Sequence, residues 1–191
     1  MKRPAGIILT LLALSACQGG RLPEVEFITG FGTITAEIDT LHAPLTAGNF
    51  LKLVDEQAFQ DAVFYRVVRP DNQPVSKVKI EVVQGGLYAD SLIESYPAIA
   101  HEITAATGIL HKKGTLSMAR NEPGTASTEF FFCMKDEPEL DYGGQRNPDG
   151  QGFAAFGRVT GGMEVLKKIQ SLPDTAQYLI HPLPVGIRRK Q

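Results

Sequence analysis

Apolar and polar residues alternate with a period of two along much of this chain. Ile34, Ala36 and Ile38 alternate with Thr33, Thr35, Glu37 and Asp39, the pattern of a half-buried strand. Strands are predicted to begin at about Val25, and Thr29-Gly30-Phe31-Gly32 reads as a hairpin turn. Further strands are predicted at Phe64–Val68, Ile80–Gln84, Thr115–Ala119, Glu129–Met134 and Phe153–Val159. The period becomes helical in two places. Within Thr46–Glu56, the residues Ala47, Phe50, Leu51 and Val54 recur at helical spacing, and Thr46 is placed to cap the N-terminus. Within Met163–Ile169, the residues Met163, Leu166 and Ile169 share one side. The polar stretch Arg69–Lys79 holds two prolines and reads as a loop. Ala89–Lys113 reads as mostly irregular, and Asp136–Gly152, rich in Pro, Gly, Asp and Asn, as a long surface loop. There is no internal repeat. Many short strands with turn signals predict a closed barrel or a sandwich.

Composition narrows the function classes. The 191 residues suffice for one domain with a sizeable core, and 43% hydrophobic content is ordinary for a globular chain. A net charge of -2 leaves no basic footprint for nucleic acid; Arg188-Arg189-Lys190 reads as a solvated tail. The N-terminus differs from the rest. Lys2 and Arg3 precede an apolar run, Ile7–Leu14, broken by Thr10 and shorter than the about 20 residues a membrane span needs. That run ends in Leu14-Ser15-Ala16-Cys17, which resembles the lipobox of bacterial lipoproteins. The resemblance implies a signal peptide over residues 1–16, lipidation at Cys17, a tether over 17–24 and a domain over 25–191. It implies a lipid-anchored, periplasm-facing protein of the bacterial cell envelope. Gln18, standing where an inner-membrane retention aspartate is absent, points to the outer membrane. Cys133, in the apolar run Phe130-Phe131-Phe132-Cys133-Met134, reads as a buried hydrophobe rather than a nucleophile.

Three separated segments carry the candidate chemistry. They are Phe64-Tyr65-Arg66-Val67 with Val82-Val83-Gln84-Gly85-Gly86; Gly114–Met134, which contains Ser117-Met118-Ala119-Arg120-Asn121; and Gly152–Val159. In this order and spacing they resemble the cyclophilin family of peptidyl-prolyl cis-trans isomerases, over roughly residues 25 to 172. The resemblance selects a mainly β fold, an eight-stranded antiparallel barrel closed at its ends by two α-helices. It implies Arg66, Gln84 and Phe131 as catalytic residues. It implies Val82, Ala119, Arg120, Asn121, Glu129, Leu140 and Phe153 as substrate-binding residues. The partners implied are proline-containing peptides and unfolded or nascent envelope proteins, met by a monomer. No cofactor or metal is implied, and His42, His101, His111 and His181 show no metal-ligand spacing. Taken singly, Arg66 reads as a surface arginine and Phe131 as a core residue; the joint pattern is what marks a site.

Departures from the family pattern matter as much. About ten extra residues near Arg69–Lys79 separate Arg66 from Gln84, compared with the family. Glu81 falls where a pocket phenylalanine usually stands, and Val82 where a methionine does. Strand alternation places Ile80, Val82 and Gln84 on one face and Glu81 on the other, so the inserted loop is expected to restore apolar cover. Tyr65 replaces a common histidine, Glu129 a common glutamine, and Phe153 the usual pocket histidine. Glu139 holds the place of the tryptophan of drug-sensitive members, which implies weak cyclosporin binding. Two competing readings use the same scaffold: a proline-peptide-binding or chaperone module without turnover, and an envelope spacer.

Overall fold

Phe130-Phe131-Phe132-Cys133 are all buried, which a strand achieves only with cover on both faces. The computed structural model describes residues 21–191, and its sheet explains that burial. The expected signal segment and Cys17 lie outside the described residues. The strands are β1 (Glu24–Thr29), β2 (Gly32–Ile38), β3 (Val63–Val68), β4 (Val82–Gly86), β5 (Thr115–Met118) and β6 (Phe130–Cys133). β7 (Ala154–Gly161), β8 (Asp174–Thr175), β9 (Tyr178–Pro184) and β10 (Gly186–Arg189) complete the sheet. The helices are α1 (Pro44–Asp55), α2 (Asp90–Ile93), α3 (Thr104–Thr107) and α4 (Met163–Gln170), with 3₁₀ turns at Pro70–Asn72 and Pro138–Leu140.

The expected closed eight-stranded barrel is corrected in two respects. The sheet has ten strands, in the order β10-β1-β2-β7-β5-β6-β4-β3-β9-β8, and its end strands do not pair with each other. The additional strands lie in residues 174–189. There β9 pairs with β3 and β10 with β1, and Val185 alone lies between them. Pro182 and Pro184 have no N–H to give, so this segment yields no alternation a sequence reader would trust. Among the described residues, four helices replace the expected two. α2 and α3 are single turns, too short to impose a helical period on the stretch read as irregular.

The expected hairpin is present, with Thr29 opposite Gly32. β1 starts at Glu24, one residue inside the expected tether. α1 begins earlier than predicted, with Pro44 in its first turn and Ala43 at its N-cap. Thr46 is therefore not the cap. Its hydroxyl and its N–H both donate to Glu102 Oε2 at 2.6 Å, so a carboxylate from a distant segment serves the free amides of the first turn.

The two faces of the sheet bury two different clusters. Phe27, Phe50, Phe64, Phe130, Phe132 and Phe156 form the heart of the main core, with edge-on pairs such as Phe27–Phe132 at 5.0 Å. α1 adds Ala47, Phe50, Leu51 and Val54 to it, and α4 adds Val165, Leu166 and Ile169. The opposite face carries a smaller cluster of Val68, Ile80, Val82, Phe131, Cys133 and Leu140. Period-two alternation in β6 thus sends Phe130 and Phe132 to the core and Phe131 and Cys133 to the second face. Burial pushes the Cys133 thiol well above its usual pKa, as suits an inert packing residue.

Candidate active site

One cross-strand row sets out the second face. Tyr178 lies opposite Arg66, Arg66 opposite Gln84, Gln84 opposite Phe131, and Phe131 opposite Ser117. Neighbouring strands lie about 4.8 Å apart, so residues far apart in sequence become a short line of side chains. A bulge in β3 between Phe64 and Arg66 makes this possible. Phe64 and Val67 both enter the main core, and the extra residue between them brings Tyr65 and Arg66 to the cleft. Beyond Gln84, β4 ends at Gly86 in close contact with the Thr128 backbone. Gly86 has φ +129°, and a Cβ there would lie 2.5 Å from the Thr128 carbonyl oxygen.

The cleft over this row has a volume of about 460 Å³, and all ten residues implied as catalytic or substrate-binding line it. Its floor is apolar: Phe131, Val82 and Leu140 are buried, with Phe153 edge-on to Phe131 at 5.3 Å and 86°. Ala119, Arg120 and Asn121 form one rim. The Arg120 guanidinium is committed to protein partners. It donates to both Asp149 carboxylate oxygens at 2.8 and 2.9 Å and to the Gly152 carbonyl at 2.9 Å, and lies 5.2 Å from the Phe153 ring centre. It therefore holds the rim loop and Phe153 in place.

Arg66 is held from two sides. Its Nη1 donates to Gln84 Oε1 at 2.9 Å, and its Nε donates to Gln177 Oε1 at 3.1 Å. Gln84 Nε2 donates to the Tyr65 hydroxyl at 2.6 Å, and that hydroxyl donates to Glu129 Oε1. Two departures from the family pattern, Tyr65 and Glu129, are therefore hydrogen-bonded partners. Burial, then the Glu129 carboxylate, push the Tyr65 hydroxyl far above its usual pKa, so it stays a donor at any working pH.

Glu81 is not among the cleft-lining residues and pairs with Lys135 at 3.2 Å, so its carboxylate does not line the apolar wall. The wall is completed by Ile80. The expected apolar cover does not come from the inserted loop: no residue of Arg69–Lys79 lines the cleft, and its Val75 is 93% exposed. Ile80 precedes the ladder of β4, and the buried Gln73 side chain replaces that ladder. Gln73 Nε2 donates to Ile80 O at 2.7 Å, and Ile80 N–H donates to Gln73 Oε1 at 3.2 Å. Arg146, from the loop after β6, donates to Ser76 Oγ and Val78 O at 2.6 Å and ties the insert to the opposite rim.

Beneath Phe131 lies a Ser–His–Asp string. The His111 ring stacks 6.0 Å from Phe131 at 12°, its Nδ1 is 2.7 Å from Asp141 Oδ1 and its Nε2 is 2.9 Å from Ser117 Oγ. The aspartate fixes the proton on Nδ1, so Ser117 Oγ–H donates to Nε2. This order of groups suits an activated nucleophile. Ser117 is fully buried under the cleft floor, so here the string props the Phe131 ring.

Sequence reasoning missed Gln177, Arg146, Tyr88 and Tyr178. Tyr88 and Tyr178 are half exposed and flank Tyr65, with ring centres 4.9 and 6.5 Å from it. None of the four sits in a motif. Ile80 alone had a signal, its alternation with Glu81.

A fixed guanidinium beside an apolar, proline-sized floor defines a peptide site without a nucleophile. Comparison with known proteins gives the same class. Residues 24–187 match the family described as cyclophilin type peptidyl-prolyl cis-trans isomerase/CLD. A peptidyl-prolyl cis-trans isomerase of Acinetobacter baylyi is 31% identical over 182 residues, covering 95% of this chain and 88% of the relative. Peptidyl-prolyl cis-trans isomerase A of Dickeya dadantii is 30% identical over 178 residues, covering 90% and 85%. A cyclophilin type isomerase of Cryptosporidium parvum shares the fold, with TM-score 0.68 and 20% identity over 88% of this chain and 98% of that one. A second structure of that protein, in the presence of the dipeptide ala-pro, has TM-score 0.67 and 20% identity over 88% and 99%. The chain belongs to the cyclophilin family and is a cyclophilin-type peptidyl-prolyl cis-trans isomerase.

Proposed function

We propose that this protein accelerates rotation about X-Pro bonds in polypeptides folding in the bacterial cell envelope, with Arg66 as the charge that lowers the barrier. The barrier is about 20 kcal/mol because the C–N bond is partly double. No covalent step is needed. Rotation localises the lone pair on the prolyl nitrogen, and a cation aimed there stabilises the twisted form more than either planar form. Arginine keeps its charge at any working pH. The observation that carries this reading is the Arg66 guanidinium, held by Gln84 and Gln177 beside the Phe131, Val82 and Leu140 floor. The proline ring enters that floor, and Ala119–Asn121 take the substrate backbone. The ala-pro dipeptide present with the Cryptosporidium relative supports a proline-bearing ligand.

The location is proposed from the N-terminal segment. Cleavage before Cys17 and lipidation of its sulfur would anchor a monomer to the outer membrane, facing the periplasm, with residues 17–24 as tether. Each buried CH₂ of an acyl chain contributes about 0.8 kcal/mol, so more than one chain gives lasting attachment. Uncatalysed isomerisation takes tens of seconds and limits folding outside the cytoplasm as elsewhere.

A coupled cis-to-trans assay on a proline tetrapeptide tests the mechanism, using the soluble form that begins after Cys17. Arg66→Ala is expected to lower kcat/KM by at least about a hundredfold while the sheet stays folded, since it removes the main electrostatic contribution. Unchanged turnover would remove Arg66 from the mechanism.

A further inference from the structure

The turn between β8 and β9 contains two non-glycine residues in the left-handed region, Ala176 at φ +50° and Gln177 at φ +79°. They are the two central residues of a hairpin whose flanking pair is Thr175 and Tyr178. A two-residue turn with both φ values positive favours Asn-Gly, because most side chains resist that backbone. Glutamine is a poor choice there on local grounds. Its side chain supplies a reason. Gln177 Oε1 accepts from Arg66 Nε at 3.1 Å and also from Nη2, so it grips the edge of the guanidinium that Gln84 leaves free.

Every hydrogen-bonding group of Gln177 is engaged. Its N–H donates to Asp174 Oδ1 at 2.9 Å, its C=O accepts from Val67 N–H at 2.8 Å, and its Nε2 donates to Asn72 O at 3.2 Å. Asp174 is itself held by Asn72 Nδ2 at 3.1 Å and by the Arg69 guanidinium. Arg69 and Asn72 belong to the start of the inserted loop. The insert, the C-terminal hairpin and the strand carrying Arg66 therefore meet on this one amide.

We propose that Gln177 is a positioning residue for Arg66, placed on an unfavourable backbone so that its neutral amide oxygen aims the guanidinium into the cleft. The inserted loop serves it by fixing the amide through Asn72. A neutral acceptor suits the task, because it orients the cation without cancelling its charge, whereas a carboxylate at the same place would draw the charge away from the prolyl nitrogen.

This inference rests on the reading of Arg66 as the catalytic charge, so Arg66→Ala is measured beside each variant. Gln177→Asn suits the left-handed backbone better and has a shorter reach. It is expected to keep or raise Tm while kcat falls about tenfold, with KM changed less than about twofold. Gln177→Glu keeps length and acceptor but adds charge and loses the donor to Asn72 O. It is expected to lower Tm while kcat of the folded fraction again falls about tenfold. Folded variants that turn over at the wild-type rate, beside an inactive Arg66→Ala, would overturn the inference and leave the reading of Arg66 intact. Activity that falls only with the fraction folded would also overturn it, by making Gln177 merely structural. An active Arg66→Ala would sink the reading of Arg66, and the inference with it.

Discussion

Replacing Glu137 by glutamine isolates the cost of one buried carboxyl beside the start of β4. Glu137 is 3% exposed. Its Oε1 accepts the Glu81 N–H at 2.6 Å, and its own N–H donates to His111 O at 2.8 Å. Burial dominates and raises its pKa. The Glu81 amide, Lys135 and Arg146 oppose the rise, the Glu81 carboxylate adds to it, and the group is pushed up from 4.5 to about 7. Between those two values the folded protein holds a proton that the unfolded chain has lost. Stability therefore falls as pH rises through this window, and above it the deficit is about 3 kcal/mol. That is a large share of a typical net stability of about 5–15 kcal/mol. Glutamine cannot ionise, yet its amide oxygen can still accept from Glu81 N–H. Urea unfolding of both proteins from pH 4 to pH 8 reads the difference directly, because groups common to both chains cancel. The variant is expected to gain on the wild type by about 3 kcal/mol between the ends of that range. A difference that does not change with pH would refute the reasoning.

Tyr65→Phe removes the hydroxyl shared by Glu129 and Gln84 and frees the Gln84 amide to turn away from Arg66. It is expected to cost about 2 kcal/mol of stability. A double-mutant cycle with Glu129→Gln is expected to give a coupling of about 1 kcal/mol, and additivity within about 0.4 kcal/mol would count against a direct bond. Cys17→Ser in the full chain, expressed in a bacterial host, is expected to move the protein from the membrane fraction to the soluble fraction with isomerase activity retained. A wild-type protein already soluble would refute the lipid anchor.

The positions of the strands up to β7 and of the two longer helices were legible because burial imposes a period that the sequence carries locally. Ile34, Ala36 and Ile38 in β2 are buried as a period of two requires; in α4 the expected Leu166 and Ile169 are buried, while Met163 is only partly covered and Val165 is buried beside them. The cleft-lining residues were legible for another reason: three motifs matched a family in order and spacing, and all ten implied residues meet around one cleft. Glu81 was correctly placed outside that cleft by strand alternation alone.

What lay beyond the sequence are the contacts that join distant segments. Nothing local in Ala176-Gln177 announces a partner 111 residues away, and the turn uses residues that local preference disfavours. Gln73 replaces a strand ladder at Ile80, Glu102 serves the first turn of α1, and Tyr65 meets Glu129, each through side-chain atoms whose targets are set by packing. The bulge that turns both Tyr65 and Arg66 to the cleft is likewise a property of β3 paired with β4 and β9, not of either strand alone. The sheet order follows the same rule: two prolines hid the C-terminal strands, and only their pairing with β1 and β3 made ten strands of the expected eight. Periodicity and motif spacing determined which residues face the core and which face the cleft, because both depend on the chain near at hand. Tertiary structure decided how firmly Arg66 is aimed, because that depends on hydrogen bonds that exist only once remote segments are packed together.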